Sequence, residues 1–394
     1  MFNRLIIRAA VMGDLDDIER LAQTAYAGLT SLPKRRHLLK HKLMVSIRSF
    51  QREVEQVGDE YYLFVMEDVV LKKVVGVCSI LASVGCVDPF YSFHIQPIKK
   101  QSWCLEQELQ VDLLRLEILR NGPSEIGTLF LDPKYREKGI GRFLSLSRFL
   151  FIAMHPERFK PSIIAEMRGL SDENGQSPFW EHLGKHFFDM SFSQADILSG
   201  QDKSFISELV PKYPIYVNLL PKEAQDVIGR AHVNTLPALR ILQSEGFQAT
   251  NTVDIFDGGP KITAQLSDIR TIRDSHEGHI VGTSDDLGTK ERHLIGRGKG
   301  ADFRVCCAYM KSVHQNEIVI PKHLDRLQHR EGELVRFVRF YSSRIPDFIK
   351  KSGLEELTLK HQIEVDTVSS KSSFLRRFAQ WYKTVSTTSR TSGL

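Results

Sequence analysis

Arg136-x-x-Gly139-x-Gly141 is the pattern in this sequence that points most directly to a chemical task, the binding of a pyrophosphate. A short apolar run precedes it and stops at Asp132-Pro133, because proline cannot extend a central strand. A helical apolar periodicity follows, so the glycines fall in a turn before a helix N-terminus, where free N–H groups attract an anion. A glycine-rich turn without a ligand is the alternative. The candidate binding residues are Leu129, Phe130, Leu131, Arg136, Lys138, Gly139, Ile140, Gly141 and Arg142.

Residues 128–151, TLFLDPKYREKGIGRFLSLSRFLF, resemble the acyl-CoA-binding motif of the GNAT superfamily of N-acyltransferases. In that superfamily, backbone amides of the turn hold the CoA pyrophosphate, and the edge of the preceding strand, here 129–131, pairs with the pantetheine arm. Two further segments, 177–188 and 234–247, resemble the second motif, a short helix that ends in glycine and enters a strand through an aromatic residue. Two copies predict a GNAT-like fold that is elaborated or partly duplicated.

A series of short blocks between residue 5 and about residue 275 resembles the arginine N-succinyltransferase family. The blocks are GLTSLP from Gly28, VDPFY from Val87, TLFLDP from Thr128, AEMRG from Ala165, SPFWEHLGKHFF from Ser177, PKYPIY from Pro211, EAQDVIG from Glu223 and DIFDGGP from Asp254. This resemblance implies transfer of a succinyl group from succinyl-CoA to the α-amino nitrogen of L-arginine, in arginine catabolism, by a homo-oligomer. The sequence departs from the family pattern at Tyr26-Ala27 and at Val233.

The same resemblance implies roles for two residues. His232 aligns with the histidine to which the family assigns proton donation, and Leu129 aligns with a succinyl-CoA contact. Because the unperturbed pKa of histidine is about 6.5, His232 is suited both to take a proton from the ammonium and to return one to sulfur.

An arginine substrate also requires groups that recognise its guanidinium, and carboxylates do so best in bidentate geometry. Asp88, Glu166 and Asp254 lie in family-like blocks and are the candidates, although each could instead be a strand-end carboxylate that local amides satisfy. Arg168 is the candidate cation for the succinyl carboxylate.

The composition indicates a globular protein of two or three domains, with 42% hydrophobic and 26% charged residues among 394. The formal net charge is only +5, so we expect no nucleic-acid partner. No apolar run approaches the ~20 residues of a bilayer span, so we expect no membrane partner.

The five cysteines form no C-x-x-C pair, which favours a reduced, cytoplasmic setting. His182 and His186 are spaced i, i+4, but nothing completes a ligand set, and we expect no metal.

Three regions are predicted along the chain. Residues 1–258 are predicted to form an α+β acyltransferase region with a mixed, mostly antiparallel sheet. Residues 259–345 are predicted to form a small β-rich, barrel-like module. Residues 346–394 are predicted to form a polar, partly disordered extension with an amphipathic patch at 374–383. Further predicted elements are strands at 5–7, 61–66 and 74–81, a basic helix at 34–53 whose face is either solvated or steers an anion, and a short helix near 106–119.

Two other function classes stay open at this point. The acyl-CoA chemistry could serve another amine, such as ornithine, a polyamine or a protein lysine. Alternatively, the chain could be an inactive acyltransferase fold that acts as a binding module. The presence of both His232 and the glycine pattern argues against an inactive fold.

Overall fold

The computed structural model describes residues 1–341 except 26–28, 30, 138, 173–174, 200–202, 315, 323 and 325–330. The described strands are β1 Leu5–Ala9, β2 Tyr61–Asp68, β3 Lys73–Leu81, β4 Phe90–Ser102, β5 Gln107–Leu119, β6 Ser124–Leu131, β7 Ser162–Glu166, β8 Ile215–Tyr216, β9 Gln248–Val253, β10 Pro260–Gln265, β11 His276–Ser284, β12 Arg292–Arg297, β13 Arg304–Tyr309, β14 Lys311–His314, β15 Glu317–Pro321 and β16 Leu334–Phe340.

The described α-helices are fewer than the strands. They are α1 Leu15–Thr24, α2 Arg36–Gln51, α3 Ile140–Met154, α4 Lys185–Phe188, α5 Phe192–Ser199, α6 Ser204–Leu209, α7 Lys222–Gln225, α8 Leu236–Gln243 and α9 Arg270–Arg273. The two longest are α2 and α3. A π-helical turn, Trp180–Gly184, leads into α4. Within the described part of the chain, no helix is both long enough and apolar enough to cross a bilayer.

All described strands join one mixed sheet in the order β14-β15-β11-β16-β12-β13-β1-β2-β3-β6-β7-β10-β9-β4-β5-β8. Most neighbours are antiparallel, but β6 and β7 are parallel, as are β11 and β15. The chain leaves β6 through α3 and returns as β7, which is the crossover that a parallel pair requires. The predicted α+β class with a mixed, mostly antiparallel sheet is confirmed.

Helices cover both faces of the sheet around β2, β3 and β6. On one face, Phe143, Leu144 and Phe149 of α3 belong to the main core together with Val75 and Cys78. On the other face, α1 and α2 pack against the alternate residues of the same strands. Each fully buried apolar side chain of this kind contributes about 1.5–3 kcal/mol. The period-2 alternation of β2 and β3 therefore fixes which side chains face α3 and which face α2.

The predicted helix near residues 106–119 is wrong, because Gln107–Leu119 forms strand β5. This strand pairs with β4 in unbroken antiparallel register from Phe90↔Leu119 to Ser102↔Gln107. The apolar residues of β5 do not follow a clear helical spacing. Pairing with β4 therefore determines that this segment is a strand. Local propensity alone could not reveal that partner.

One further sequence prediction differs from the structure. The segment 177–188 is helical as expected, but it continues into α5 instead of entering a strand. Strand β10, Pro260–Gln265, lies beyond the predicted boundary at 258, yet it pairs with β7 and β9. The strands predicted at 5–7, 61–66 and 74–81 are confirmed, as is the helix at 34–53. The amphipathic patch at 374–383 lies outside the described residues.

Candidate active site

Strands β6 and β7 diverge at the centre of the sheet. Among the described residues they pair only at Ser124↔Ile163 and Glu125↔Ile164. The register between β6 and β3 shifts just beyond, and Thr128 takes a left-handed φ of 44°. A bulge of this kind bends a strand and turns its polar groups in a new direction. The edge of β6 from Leu129 onward therefore offers backbone groups on the side where β7 has moved away.

The predicted strand, glycine turn and helix lie directly after this divergence. Gly139 has a φ of 91°, a conformation that glycine adopts without steric cost, and α3 begins at the next residue, Ile140. A Cβ built on Gly141 would meet no atom within 4 Å, so the space beside the first turn of α3 is open. The first N–H groups of a helix lack intrahelical acceptors. The turn thus combines helix N-terminal N–H groups with open space, while Lys138 lies outside the described residues.

The two described arginines of the turn both bond to the protein. Arg136 donates from Nε to the carbonyl of Leu131 at 3.1 Å, and its guanidinium lies 5.5 Å from the centroid of the Phe130 ring. Arg142 turns inward and donates to Ser244 Oγ at 2.8 Å and to Glu245 at 3.1 Å. These bonds hold the guanidinium of Arg142 against Ser244 and Glu245, a carboxylate that it shares with Arg270.

His232 lies beside the end of β7. Its backbone N–H donates to the carbonyl of Arg168 at 2.8 Å, and Gly169 and Ala231 form an isolated antiparallel bridge. Its Nδ1 accepts the backbone N–H of Asn234 at 3.1 Å. Burial and the charge of Arg168 lower the pKa of His232, against the opposing effect of a hydrogen bond to the backbone of Ser171, and the net lowering favours the neutral ring. With Nδ1 accepting, the neutral ring carries its proton on Nε2 and presents a donor.

The segment that holds His232 is itself held by the loop after β9. Asp257 accepts the N–H groups of Gly169 at 2.7 Å and of Gly259 at 2.8 Å. A Cβ at Gly169 would lie 2.3 Å from the carbonyl oxygen of Asp257, so the two segments are in direct backbone contact. This contact fixes the position of Arg168, to which His232 is bonded.

Asp254 closes the same loop. Its Oδ1 accepts the N–H groups of Phe256 at 2.7 Å and of Asp257 at 2.9 Å. One oxygen of this carboxylate therefore satisfies local amides, which is the structural alternative that the sequence left open. Burial raises the pKa of Asp254, while the two amide bonds oppose that rise.

Glu166, the last residue of β7, carries a carboxylate oxygen with an unused acceptor. Its Oε1 is buried and has no hydrogen-bond partner among the described residues. Burial raises the pKa of Glu166 well above its ordinary value, and the nearby charges of Asp254 and Glu125 raise it further, whereas Lys261 opposes them. A buried carboxylate that lacks a partner is costly, and a cationic ligand would relieve that cost.

Two charged residues in this cluster were not predicted. Glu125 of β6 has a pKa raised by burial, against the opposing charges of Lys203, Lys42 and Lys261. Lys261 of β10 is buried, stands opposite Glu166 in the strand register, and donates to Ser92 Oγ at 3.0 Å. The available signal was a charged residue inside an otherwise apolar strand pattern.

The remaining predicted substrate-binding residues are placed differently. Arg168 is next to His232 as described, and its guanidinium donates to Ser171 Oγ. Asp88 is exposed in the connection between β3 and β4, and among the described residues no hydrogen bond or ion pair joins it to Glu166 or Asp254. The structure thus brings Glu166 and Asp254 together and leaves Asp88 apart.

The histidine pair at i, i+4 lies on the turn around Gly184. His182 Nε2 is 3.5 Å from Glu223 Oε1, and both side chains are partly exposed. In the described ranges, no group of three His, Cys, Asp or Glu side chains is arranged to hold a metal ion.

Comparison with known proteins gives concordant matches. The family model described as arginine N-succinyltransferase beta subunit matches residues 5–271. The chain is 39% identical over 336 residues to arginine N-succinyltransferase of Escherichia coli strain 55989, covering 85% of this chain and 97% of that protein. The Shigella flexneri protein of the same name gives the same identity and coverage.

A solved structure also matches. The arginine/ornithine succinyltransferase subunit AI from Pseudomonas aeruginosa superimposes with a TM-score of 0.78 at 34% sequence identity. The alignment covers 85% of this chain and 98% of that one.

Proposed function

The chain belongs to the arginine N-succinyltransferase family, and on that premise we propose that it transfers the succinyl group of succinyl-CoA to the α-amino nitrogen of L-arginine, as a step of arginine catabolism. The observation that carries this proposal is the match over 97% of the length of a relative that bears this activity in its name. The amine nitrogen attacks the thioester carbonyl carbon, the carbon–sulfur bond breaks, and the departing thiolate takes a proton while the ammonium has lost one.

The strand order supports a GNAT-like fold for the acyltransferase region. The consecutive neighbours β1-β2-β3-β6-β7-β10-β9, with α3 connecting the parallel pair, resemble the arrangement expected from the sequence motifs. The region boundaries at 258 and 345 stay part of this proposal, and β10, just beyond the first boundary, pairs across it with β7 and β9. The β-rich module has a core of its own around Ile295, Ile318 and Val335, which supports a small barrel-like unit.

For the donor, we assign succinyl-CoA to the divergence of β6 and β7 and to the turn before α3. The pantetheine would pair with the open edge at Leu129, Phe130 and Leu131, and the pyrophosphate would lie beside Gly139, Ile140 and Gly141. The open space at Gly141 and the left-handed Gly139 support this assignment. Arg136 and Lys138 would add positive charge, and Arg142 would contribute its backbone N–H.

For catalysis, we assign proton donation to His232. The acceptor state of its Nδ1 supports a ring that donates from Nε2, either to the oxyanion or to the departing sulfur. The same hydrogen bond leaves the neutral ring no free nitrogen for the ammonium proton. His232 is therefore proposed as the donor alone, which narrows the double role that its ordinary pKa had suggested.

For the acceptor, we assign the guanidinium to the carboxylates around Glu166. The buried, unpartnered Oε1 of Glu166 supports this choice most directly. Asp254 contributes its charge at the same place, although one oxygen belongs to its loop. Arg168 remains the proposed cation for the succinyl carboxylate, and Asp88 is the weakest of the four assignments because it is exposed.

Ornithine is a second candidate acceptor, because the P. aeruginosa structure is named as an arginine/ornithine enzyme. Ornithine has the same α-amino and α-carboxylate groups, and an ammonium in place of the guanidinium.

We further propose a homo-oligomer in the cytoplasm. The words "subunit" in the names of the family model and of the P. aeruginosa structure support an assembly.

The test is thiol release from succinyl-CoA by the purified full chain, with L-arginine, L-ornithine, a polyamine and a lysine peptide as acceptors. We expect the highest kcat/KM with arginine and a product acylated on the α-nitrogen, identified by mass fragmentation. Turnover with another amine and none with arginine or ornithine would overturn the acceptor assignment. No thiol release with any acceptor, while succinyl-CoA still binds, would favour a binding module.

A further inference from the structure

Lys42 of α2 carries a partly buried ammonium that the protein does not neutralise locally. Its Nζ donates to the carbonyl of Ser31 at 3.1 Å and lies 5.5 Å from the centroid of the Tyr61 ring. Throughout the described ranges, no carboxylate oxygen lies within 4.0 Å of Lys42 Nζ, the distance at which the two would form an ion pair. An ammonium has three N–H donors, so hydrogen-bonding capacity remains for a ligand.

The position of Lys42 is defined by the bulge of β6. The carbonyl of Ser31, which accepts from Lys42, is also approached by Thr128 Oγ1 at 3.4 Å. Thr128 is in turn 3.4 Å from the hydroxyl of Tyr61. Lys42, Tyr61 and Thr128 therefore converge on one face of the sheet, and the residue after Thr128 is Leu129, where the open strand edge begins. Through the shared carbonyl of Ser31, the ammonium is linked to the residue that precedes the stretch of β6 assigned to the pantetheine.

The surroundings of Lys42 make the absence of a partner costly. Burial and the like charge of Lys203, against the opposing charge of Glu125, lower the pKa of Lys42 to about 8. The third titratable neighbour is Tyr61, whose pKa is raised by burial, so its phenol stays neutral. An anionic ligand would restore the interactions that the ammonium has lost by leaving water.

We propose that Lys42 binds a free carboxylate of a substrate and so determines specificity at the site where donor and acceptor meet. Two carboxylates could occupy it, the terminal carboxylate of the succinyl group and the α-carboxylate of the amino acid. The inference rests on the proposed succinyl transfer, because only that reaction brings these two groups to β6. It adds a cation from α2 that neither the sequence motifs nor the relatives' names indicate.

The experiment compares Lys42→Met with the wild-type chain on matched substrates. Butyryl-CoA replaces the succinyl carboxylate by a methyl group, and agmatine is arginine without its α-carboxylate. We expect Lys42→Met to lower kcat/KM about 10- to 100-fold for the substrate whose carboxylate is bound, as for loss of a charge-assisted hydrogen bond, and to leave its uncharged analogue within about twofold. Where an analogue turns over too slowly, its inhibition constant replaces kcat/KM.

The comparison of succinyl-CoA with butyryl-CoA is the donor arm of the experiment, and that of arginine with agmatine is the acceptor arm. Together they identify which carboxylate Lys42 binds. A loss of the succinyl-over-butyryl preference assigns Lys42 to the acyl group, and a loss of the arginine-over-agmatine preference assigns it to the amino acid. Lys42→Arg should keep most of the preference because it keeps the charge. Lys40→Met, an exposed lysine on the same helix, should behave as wild type. Unchanged preferences in both arms for a folded Lys42→Met protein would overturn the proposal.

The pH dependence provides a readout that a packing role would not give. Lys42 is charged below its pKa of about 8 and neutral above it. Because kcat/KM reports the free enzyme, the preference for the carboxylated substrate should fall as the pH rises through about 8. Lys42→Arg should abolish this fall. A wild-type chain that releases no thiol from succinyl-CoA with arginine would instead contradict the proposed function itself, whatever Lys42 does.

Discussion

The two sides of strand β6 form contrasting halves of the proposed active site. The donor side consists of the open edge of β6, Gly139 and Gly141, which follow one another closely in the chain. The acceptor side combines Glu166 of β7 and Lys261 of β10, which are far apart in sequence, and Lys42 of α2 is proposed to bind a carboxylate of either substrate. A site made of backbone amides is encoded locally, whereas a site made of side chains depends on how distant strands are registered.

The halves also differ in how their charges are balanced. On the donor side, Arg142 is paired with Glu245, which also accepts from Arg270 at 2.9 Å. By contrast, Glu166 Oε1 has no hydrogen-bond partner among the described residues, and Lys42 bonds to the neutral carbonyl of Ser31. Electrostatic cost is therefore concentrated where the small substrate would bind. Groups that a fold leaves unsatisfied are better indicators of ligand contacts than groups it has already paired.

Removing His232, the proposed proton donor where the donor and acceptor halves meet, should have the largest effect. His232→Ala should lower kcat for succinyl transfer about 10²- to 10⁴-fold, the usual range for loss of an acid or base group. The KM values of both substrates should stay within a few-fold, since the side chain acts on the reacting atoms. Steady-state thiol release measures this, with the partly exposed His182→Ala as control. Full activity in His232→Ala would show that His232 is not the proton donor that connects the two halves.

A change confined to the acceptor half should separate it from the donor half. Glu166→Gln keeps the size of the side chain and removes its charge, so kcat/KM for arginine should fall about 10- to 100-fold. The KM for succinyl-CoA should not change. Asp88→Asn, in an exposed loop, serves as the comparison variant and should stay within about twofold. Equal changes in both KM values would show that Glu166 is not specific to the acceptor.

A change confined to the donor half should give the reverse result. Gly141→Val places a side chain in the open space beside the first turn of α3, and the KM for succinyl-CoA should rise about tenfold, as for loss of ~1.4 kcal/mol of phosphate binding. The KM for arginine should be unaffected. Gly282→Val is the matched control, because a Cβ there also meets no atom within 4 Å. Unaltered succinyl-CoA kinetics in Gly141→Val would place the pyrophosphate elsewhere.

The smallest effect is expected from the support behind His232. Asp257→Ala removes the acceptor for the N–H groups of Gly169 and Gly259, which should cost about 1–3 kcal/mol of unfolding free energy. Denaturant titration measures that loss. The value of kcat should fall several-fold while the substrate KM values change little, because Arg168 and His232 become less well positioned. A stability loss with no change in kcat would restrict Asp257 to a structural role.

Much of the core arrangement could be predicted from local patterns. Alternating apolar residues gave β2 and β3, and the strand, glycine turn and helix around Gly139 lie where the residue types require them. The strand assignment failed at Gln107–Leu119, whose partner β4 was not itself recognised. Among the site residues, Glu166 and Asp254 were predicted and lie together, whereas Glu125, Lys261 and Lys42 were missed because each belongs to a different element.

By itself, the sequence determined the family, the glycine turn before α3 and the identity of His232 as the candidate donor. These features depend on residue type and on neighbours a few positions away, so they can be read along the chain. Only the tertiary structure decided that β6 and β7 separate after Glu125, that Arg142 turns away to Glu245, and that Lys42 faces the bulge at Thr128. Those outcomes depend on strand register and on competition among charges for partners, and both arise only when distant segments pack together.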